Sequence, residues 1–349
     1  MATRELRVGV VGAGDNTRKL HIPRLQAIDG VEVLSVANRS RASGERVAEQ
    51  FKLPTVYDNW RELVAAPDTN AIMIGTWPYL HCPVTLAALA AGKHVLTEAR
   101  MAMNAAQAQT MLAAAREHPE LTCMVVPSPF TFNIDAAIIQ RVNEGYLGQI
   151  VGLNVHAGGG FADFGGPLQW RHNRDLSGCN TLFMGIWYES VMRWVGEATR
   201  VMARASVVVK ERIDQETGQR RPVTIPDHVE IIADMACGGI AHFQFSAVTG
   251  LMRPTEAWIW GTEGTLRYDQ ATRTLFGGRR GDKELTPIEV PAEQQGTWRV
   301  EEDFVAAVRG EQPVRLTSFE DGVRYMEFSE AVARSAASGQ SVSLPLLGG

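Results

Sequence analysis

The chain contains 349 residues, which fits two domains of about 150 residues each. Apolar residues make up 45% and charged residues 21%, and the net charge of -5 is spread over interspersed acidic and basic side chains. This composition is ordinary for a globular protein and lacks the basic surface typical of nucleic-acid binding. No apolar run reaches the ~20 residues that a membrane-spanning helix needs. These features argue against a nucleic-acid or membrane partner.

The four cysteines are scattered, without a CxxC pair or the spacing of a metal site. The N-terminal residues lack the apolar core of a signal peptide. We therefore expect reduced thiols, no metal, and a cytoplasmic location.

The first half of the chain alternates strands with helices. Strand Leu6–Val11, helix Thr17–Ile28 and strand Val31–Ala37 form the first unit. The alternation continues with helices at 42–51, 60–65, 83–91 and 105–117 and strands near 56 and at 71–76, 94–97 and 122–126. This order predicts an α/β fold with a doubly wound parallel sheet.

Beyond Pro127 the strands become longer and follow one another with few helices. One helix is predicted at 134–144, five strands at 150–156, 201–209, 229–235, 240–246 and 255–260, and closing helices at 298–309 and 318–337. Gly238-Gly239 predicts a hairpin turn between two of these strands. We expect two domains, 1–127 and 128–349, the second containing a mostly antiparallel sheet.

A glycine turn, Val11-Gly12-Ala13-Gly14, lies between the first strand and its helix. Glycines here let the backbone approach a pyrophosphate at the start of the helix, so the turn predicts a dinucleotide site. The third glycine of the usual GxGxxG pattern is Thr17, which predicts a wider gap between helix and strand. The alternative is a tight turn without a ligand.

The end of the second strand reads Asn38-Arg39-Ser40-Arg41. NAD-binding domains usually carry an acidic residue there for the ribose hydroxyls, whereas a neutral Asn beside a guanidinium accommodates a 2′-phosphate. We therefore predict NADP as cofactor, with NAD as the alternative. In that case Arg39 and Arg41 merely begin an exposed helix.

Several segments resemble the Gfo/Idh/MocA oxidoreductase family over nearly the whole chain. They are Asn70–Thr76, Leu80-His81, Ala87–Leu96 with Glu98, Trp170-Arg171, Gly261–Leu266 and Asp303-Phe304. The resemblance implies a Rossmann domain followed by an α/β domain with an open, mostly antiparallel sheet. It also implies NAD(P)-dependent chemistry on a sugar, polyol or related carbonyl compound, and a homo-oligomer (dimer or tetramer) formed through that sheet. The cofactor residues that it implies are Gly12, Gly14, Asp15, Asn16, Asn38, Arg39, Ser40, Thr76, Trp77, His81 and Glu98.

The usual proton-handling residues of that family are missing. The Glu-Lys-Pro motif reads Glu98-Ala99-Arg100, so alanine occupies the lysine position. In the second motif, aligned on Gly185, Phe183, Trp187 and Ser190 replace the usual Asp, His and Asp.

Four residues are candidates for the missing chemistry. Arg100 stays protonated, so it suits a clamp for developing negative charge better than a proton shuttle; the alternative is a structural ion pair. Tyr188 and Glu189 begin the helix that borders the family's substrate pocket, and His81 follows the fourth strand. The alternatives are structural: Tyr188 packs in the core, Glu189 forms an ion pair, and His81 caps a helix.

The resemblance places Trp170, Arg171, His172 and Trp187 against the substrate. The leading hypothesis is an NAD(P)-dependent oxidoreductase with a non-standard acid/base set. The alternatives are a cofactor-binding lyase or dehydratase without net redox change, and a non-catalytic member of the family.

Overall fold

The computed structural model describes residues 5–346, which form two compact units. The first comprises the described residues up to Pro127 together with Arg299–Val323. The second comprises Ser128–Trp298 and the described residues from Arg324 onward.

The first unit is built on a six-stranded sheet in the order β3-β2-β1-β4-β5-β6, with every pair parallel. Its strands are β1 (Leu6–Val11), β2 (Val31–Ala37), β3 (Thr55–Tyr57), β4 (Ala71–Ile74), β5 (His94–Thr97) and β6 (Cys123–Val125). Its helices are α1 (Ile22–Gln26), α2 (Arg41–Phe51), α3 (Trp60–Ala65), α4 (His81–Ala90), α5 (Ala105–Glu117) and α9 (Val300–Arg309). A π-helical turn, Thr17–His21, leads into α1. The strand order has its switch point between β1 and β4, where a ligand cleft is expected at the carboxyl ends of the strands.

The segment Arg299–Val323 packs with the first unit, although we expected the whole of 128–349 to form the second domain. Glu301 pairs with His21 at 2.6 Å, and the Val125 N–H donates to the Thr317 carbonyl at 3.0 Å. These partners are far apart in sequence, so local periodicity does not show that the chain returns to the first unit.

The second unit contains a nine-stranded sheet in the order β16-β15-β14-β13-β7-β12-β11-β8-β17. Its strands are β7 (Ile150–Gly158), β8 (Ala198–Ser206), β11 (His228–Met235), β12 (Ile240–Ser246), β13 (Glu256–Gly261), β14 (Gly264–Asp269), β15 (Thr274–Arg279), β16 (Thr286–Ile288) and β17 (Val342–Ser343), with β9 (Glu211–Ile213) and β10 (Arg220–Pro222) as a separate pair. Its helices are α6 (Phe132–Asn143), α7 (Arg174–Ser177), α8 (Met184–Val195) and α10 (Phe319–Ser338), which starts in the first unit. All neighbours pair antiparallel except β7 and β12. The predicted fold class is confirmed.

One face of this sheet is covered by helices and the other carries exposed apolar side chains. On the covered face, Tyr188 of α8 stacks on Phe328 of α10 with ring centroids 3.6 Å apart, and its ring meets Phe243 of β12. On the other face, Ile232 lies directly opposite Met202, and the two are 54% and 51% exposed.

No helix in the described part of the chain is long and apolar enough to cross a membrane.

Candidate functional site

The glycine turn lies at the carboxyl ends of β1 and β4. Gly12 has a positive φ of 83°, and a Cβ there would collide with Thr76 after β4. The Ala13 N–H donates to the side-chain oxygen of Asn38 at 2.7 Å, which anchors the turn to the end of β2. Contacts with residues that follow β2 and β4 therefore fix the backbone of the glycine turn.

Thr17 takes the third glycine position without the wider gap that the sequence suggested. It is buried, and a Cβ on Gly75 would overlap the Thr17 hydroxyl. The missing glycine is compensated by Gly75, the residue that follows β4, so the helical turn and the sheet still pack closely.

A cleft of about 500 Å³ opens beside this turn, entirely within the first unit. Six of the predicted cofactor residues line it: Gly12, Gly14, Asn38, Arg39, Thr76 and Trp77. The sequence reasoning missed Ser43, Asp58, Asn59, Trp60, Tyr79 and Leu80, which also line it. Most of these follow the carboxyl ends of β3 and β4, which is where a doubly wound parallel sheet places its ligand cleft.

Other predicted cofactor residues lie outside the cleft lining. Asp15 pairs with Arg18 at 2.5 Å on an exposed helical turn, and Ser40 caps α2 by accepting from the Ser43 N–H. Asn16 bonds through its side chain to Glu98. These contacts favour structural roles for Asp15 and Ser40. They also connect Asn16, beside the glycine turn, to Glu98.

The basic residues after β2 have different surroundings. Arg41 pairs with Asp58 at 2.8 Å and with Glu45 at 3.0 Å, so two carboxylates compensate its charge. Arg39 is exposed at the cleft wall. Of these two arginines, Arg39 lines the cleft and Arg41 does not.

A buried ionic cluster lies beside the carboxyl end of β5. His21 Nδ1 is 2.6 Å from Glu301, and its Nε2 is 3.1 Å from Glu98. Burial alone lowers the pKa of His21, but the two carboxylates outweigh it and raise the pKa to about 9. Burial likewise favours the neutral form of Glu98, yet the bond to His21 prevails and lowers the pKa of that carboxyl. At neutral pH the imidazole is thus a cation that donates to both carboxylates.

His81 and Arg100 meet at the start of α4. His81 is fully buried, and its two ring nitrogens each lie 2.9 Å from a carbonyl oxygen, of Arg100 and of Thr76. Burial lowers the pKa of His81 and prevails over the carbonyls, which favour the charged ring. This geometry favours a structural role for His81, in which it fixes the backbone at Thr76 and Arg100. It does not favour the predicted role in proton transfer. The Arg100 side chain is also buried.

Tyr188 and Glu189, predicted as acid/base residues, are buried in the second unit. The Tyr188 hydroxyl accepts from the Ala198 N–H at 2.8 Å, and burial raises the pKa of this phenol. Glu189 accepts from the Ser128 N–H at 3.0 Å and pairs with Arg193 at 2.8 Å. α8 turns both side chains into the protein interior, and these contacts favour the structural alternatives over acid/base roles.

The predicted substrate residues separate into two groups within the second unit. Trp187 is buried among aromatic rings, 5.9 Å from Phe130 and 6.5 Å from Tyr268 between centroids, so it packs the core. Trp170, Arg171 and His172 form an accessible helical turn, with the Arg171 guanidinium 4.2 Å above the Trp170 ring. Of the four predicted substrate residues, the three in this turn are accessible to a ligand, whereas Trp187 is not.

Residues 5–346 contain no group of three or more His, Cys, Asp or Glu side chains arranged to hold a metal ion.

Two family models match the chain in sequence order. The model described as "Oxidoreductase family, NAD-binding Rossmann fold" matches residues 6–126, and the "GFO/IDH/MocA C-terminal domain" matches residues 136–267. Together they cover most of the chain.

Individual relatives are similar over most of their length. The dTDP-3,4-didehydro-2,6-dideoxy-alpha-D-glucose 3-reductase of Streptomyces antibioticus is 28% identical, over 95% of this chain and 97% of its own. The trans-1,2-dihydrobenzene-1,2-diol dehydrogenase of Mus musculus is 27% identical, over 81% and 80%. The solved structure of levoglucosan dehydrogenase in complex with NADH and L-sorbose superposes with a TM-score of 0.83, at 22% identity, over 97% of this chain and 99% of that one.

The match of both domain models and the parallel sheet with its glycine turn agree with one another. The chain therefore belongs to the Gfo/Idh/MocA family of oxidoreductases and carries that family's NAD-binding Rossmann domain.

Proposed function

We propose that this protein is an NADP-preferring oxidoreductase that acts on a sugar, polyol or related carbonyl compound. The observation that carries the proposal is the cleft beside Gly12 and Gly14, with Arg39 in its wall at the end of β2. When bound there, the nicotinamide cofactor supplies or accepts the hydride.

The preference for NADP is argued from the charges around the end of β2. Asn38 is neutral and already donates its amide to the Ser43 hydroxyl at 3.0 Å, so it does not repel a phosphate. The carboxylate of Asp58 also lines the cleft, but its pairing with Arg41 reduces the repulsion that it would exert. Arg39 lines the same cleft, where its guanidinium can bind a 2′-phosphate with charge-assisted hydrogen bonds.

Titration calorimetry with NADPH and NADH tests this preference. The wild-type protein should bind NADPH more tightly, and Arg39→Ala should weaken NADPH about tenfold while changing NADH by less than about twofold. Arg46→Ala is the matched control, because Arg46 is an exposed arginine of the nearby helix α2 and does not line the cleft. An unchanged NADPH affinity in Arg39→Ala would reject the assignment.

The substrate class is argued from the relatives. Their names describe a deoxysugar reductase, a dihydrodiol dehydrogenase and a levoglucosan dehydrogenase, each of which handles a hydroxyl or carbonyl group on a ring. The Trp170-Arg171 turn suits such a ligand, since a guanidinium binds oxygen and Arg171 is held here against the Trp170 ring.

Arg100 is the remaining charged candidate for the reaction itself. Its guanidinium stays protonated, so we assign it to stabilisation of negative charge on the substrate oxygen. Arg100→Ala should lower kcat about a hundredfold with a smaller change in KM, whereas full retention of activity would remove Arg100 from the mechanism.

In this assignment none of Tyr188, Glu189 and His81 is the proton acceptor, because their hydrogen bonds and ion pairs within the protein favour structural roles. That observation favours one competing function, a lyase or dehydratase that keeps the cofactor but shows no net redox change. Comparing substrate consumption with cofactor reduction separates the two functions.

We also propose that the protein assembles into a homo-oligomer through the open face of its nine-stranded sheet. Met202, Ile232 and Ile240 are each more than half exposed on that face, and Trp260 lies across β7 from Ile240. Single apolar side chains are normal on a surface, but a row across neighbouring strands favours an interface. Ile232→Glu should reduce the molar mass measured by light scattering to that of one chain. A variant that keeps the molar mass of the wild-type protein would contradict the proposal.

A further inference from the structure

His21 stands at the centre of a buried ionic cluster that the proposed function leaves unexplained. Its side chain and that of Glu301 are fully buried, whereas Glu98 keeps 13% of its side chain exposed. Burying two carboxylates and an imidazole costs desolvation free energy, so a hydrophobic replacement would serve stability as well. The partial exposure of Glu98 indicates which member of the cluster faces outward.

Glu98 follows β5 at the carboxyl edge of the parallel sheet. Its backbone N–H donates to the Ile74 carbonyl at 2.8 Å, and the next residue after Ile74, Gly75, lines the cleft. Arg39 lies at the end of β2, on the opposite side of the switch point between β1 and β4. A dinucleotide that places its adenosine half near Arg39 extends its other half across β4 towards β5. The second ribose of such a ligand would then lie towards the side of the sheet where Glu98 follows β5.

The two oxygens of that carboxylate are fixed by the protein. One accepts from His21 Nε2 at 3.1 Å, and the other accepts from the Ala99 N–H at 3.1 Å. The Asn16 side chain, from the helix that follows the glycine turn, also bonds to Glu98. Each carboxylate oxygen has further lone pairs, so these bonds leave acceptor capacity for ribose hydroxyls.

Glu301 determines whether His21 can hold Glu98. The contact between His21 and Glu301 is shorter, 2.6 Å against 3.1 Å. A neutral imidazole has one N–H, which would remain on the Glu301 side, and a bare ring nitrogen would then face Glu98. Only the doubly protonated ring donates to both carboxylates.

We infer that His21, charged and anchored by Glu301, is a positioning residue that fixes Glu98 to bind the ribose on the nicotinamide side of the cofactor. This inference rests on the proposed dinucleotide binding. It assigns a role in cofactor binding to the returning segment Arg299–Val323, through Glu301 of α9.

Fragments of the cofactor separate positioning from general damage. ADP ends at the diphosphate, whereas ADP-ribose adds the second ribose. His21→Gln cannot donate towards both carboxylates at once, so it should weaken ADP-ribose about tenfold and leave ADP within about twofold. Glu98→Gln should give the same selective loss. His118→Gln, a histidine of the same unit whose contact is with Glu120 near the surface, is the matched control.

The double variant His21→Gln/Glu98→Gln provides the decisive comparison. If His21 acts through Glu98, the double variant binds ADP-ribose no more weakly than Glu98→Gln alone. Equal losses for ADP and ADP-ribose, or additive losses in the double variant, would overturn the inference. Absence of ADP-ribose and NADPH binding by the wild-type protein would instead refute the proposed function.

The wild-type protein supplies a test that needs no substitution. The charged groups that face His21 are Glu98 from the end of β5 and Glu301 from α9, while Arg18 and Lys19 of its own turn are exposed beside Asp15. Above about pH 9 the affinity for ADP-ribose should fall while that for ADP stays level. Parallel pH profiles for the two ligands would contradict the inference even if His21→Gln does not fold.

Discussion

The Thr17 hydroxyl lies where a side chain on Gly75 would have to be. Thr17 also directs its hydroxyl to the Gly12 carbonyl at 3.4 Å, so one side chain packs against both the glycine turn and Gly75 after β4. The departure from the three-glycine pattern is thus balanced by a glycine elsewhere, and the cleft keeps its shape.

Gly75→Ala should destabilise the protein because its new methyl group overlaps Thr17 and the Gly12 carbonyl. We expect a loss of about 2 kcal/mol in the free energy of unfolding, measured by urea denaturation. Thr17→Gly should recover part of this loss in the double variant, although glycine itself costs about 1 kcal/mol in a helix. Strictly additive effects would show that the two residues do not share this space.

Gly14→Ala should separate ligand binding from stability. A Cβ at Gly14 meets only the Gly75 carbonyl at an ordinary 3.6 Å, yet Gly14 lines the cleft. The free energy of unfolding should change by less than about 1 kcal/mol, whereas NADPH affinity should fall about tenfold because the backbone approach is blocked. Gly12→Ala is the contrast, since its positive φ and the contact with Thr76 should lower stability as well. NADPH affinity unchanged in Gly14→Ala would place the pyrophosphate elsewhere.

The His21 cluster should make stability depend on pH on the alkaline side. The folded protein binds this proton more tightly than the unfolded chain, with the pKa raised from 6.5 to about 9. The stabilisation is therefore complete below about pH 6.5 and is lost as the pH rises through about 9, a total of about 3 kcal/mol.

Urea denaturation between about pH 6 and 10 measures this loss. Glu301→Gln should show a smaller alkaline decrease than the wild-type protein, because one of the two carboxylates that raise the pKa is gone. His118→Gln should behave like wild type. An identical alkaline decrease in Glu301→Gln would assign the effect to other groups.

Substitutions in α8 should affect stability more than the reaction. Glu189→Gln weakens the pairing with Arg193, which keeps Asp135 at 3.0 Å, so we expect a loss of about 2 kcal/mol in the free energy of unfolding. Tyr188→Phe removes the acceptor of the Ala198 N–H and should cost about 1 kcal/mol. In both variants kcat should stay within about threefold of wild type; a hundredfold loss of kcat with normal stability would restore them as acid/base candidates.

The sequence was sufficient for the features that depend on local pattern. The glycine turn between β1 and its helix and the Gly238-Gly239 hairpin both follow from short-range chemistry, and the structure contains both. The resemblance identified the family correctly.

The sequence was insufficient where partners are remote or where a helix must be oriented. His21 and Glu301 are 280 positions apart, so neither periodicity nor spacing connects them. Tyr188 and Glu189 are adjacent in α8, and only the packing against Phe328 and Arg193 shows that both turn inward.

The most direct test of the central proposal is turnover with the purified protein. NADP⁺ is mixed with a panel of sugars and polyols, and the absorbance of reduced nicotinamide is followed together with the amount of substrate consumed. We predict NADPH formation in equal amount to the oxidised product, with slower turnover on NAD⁺. Product formed without net reduction of the cofactor, or no turnover and no cofactor binding at all, would contradict the assignment as an oxidoreductase.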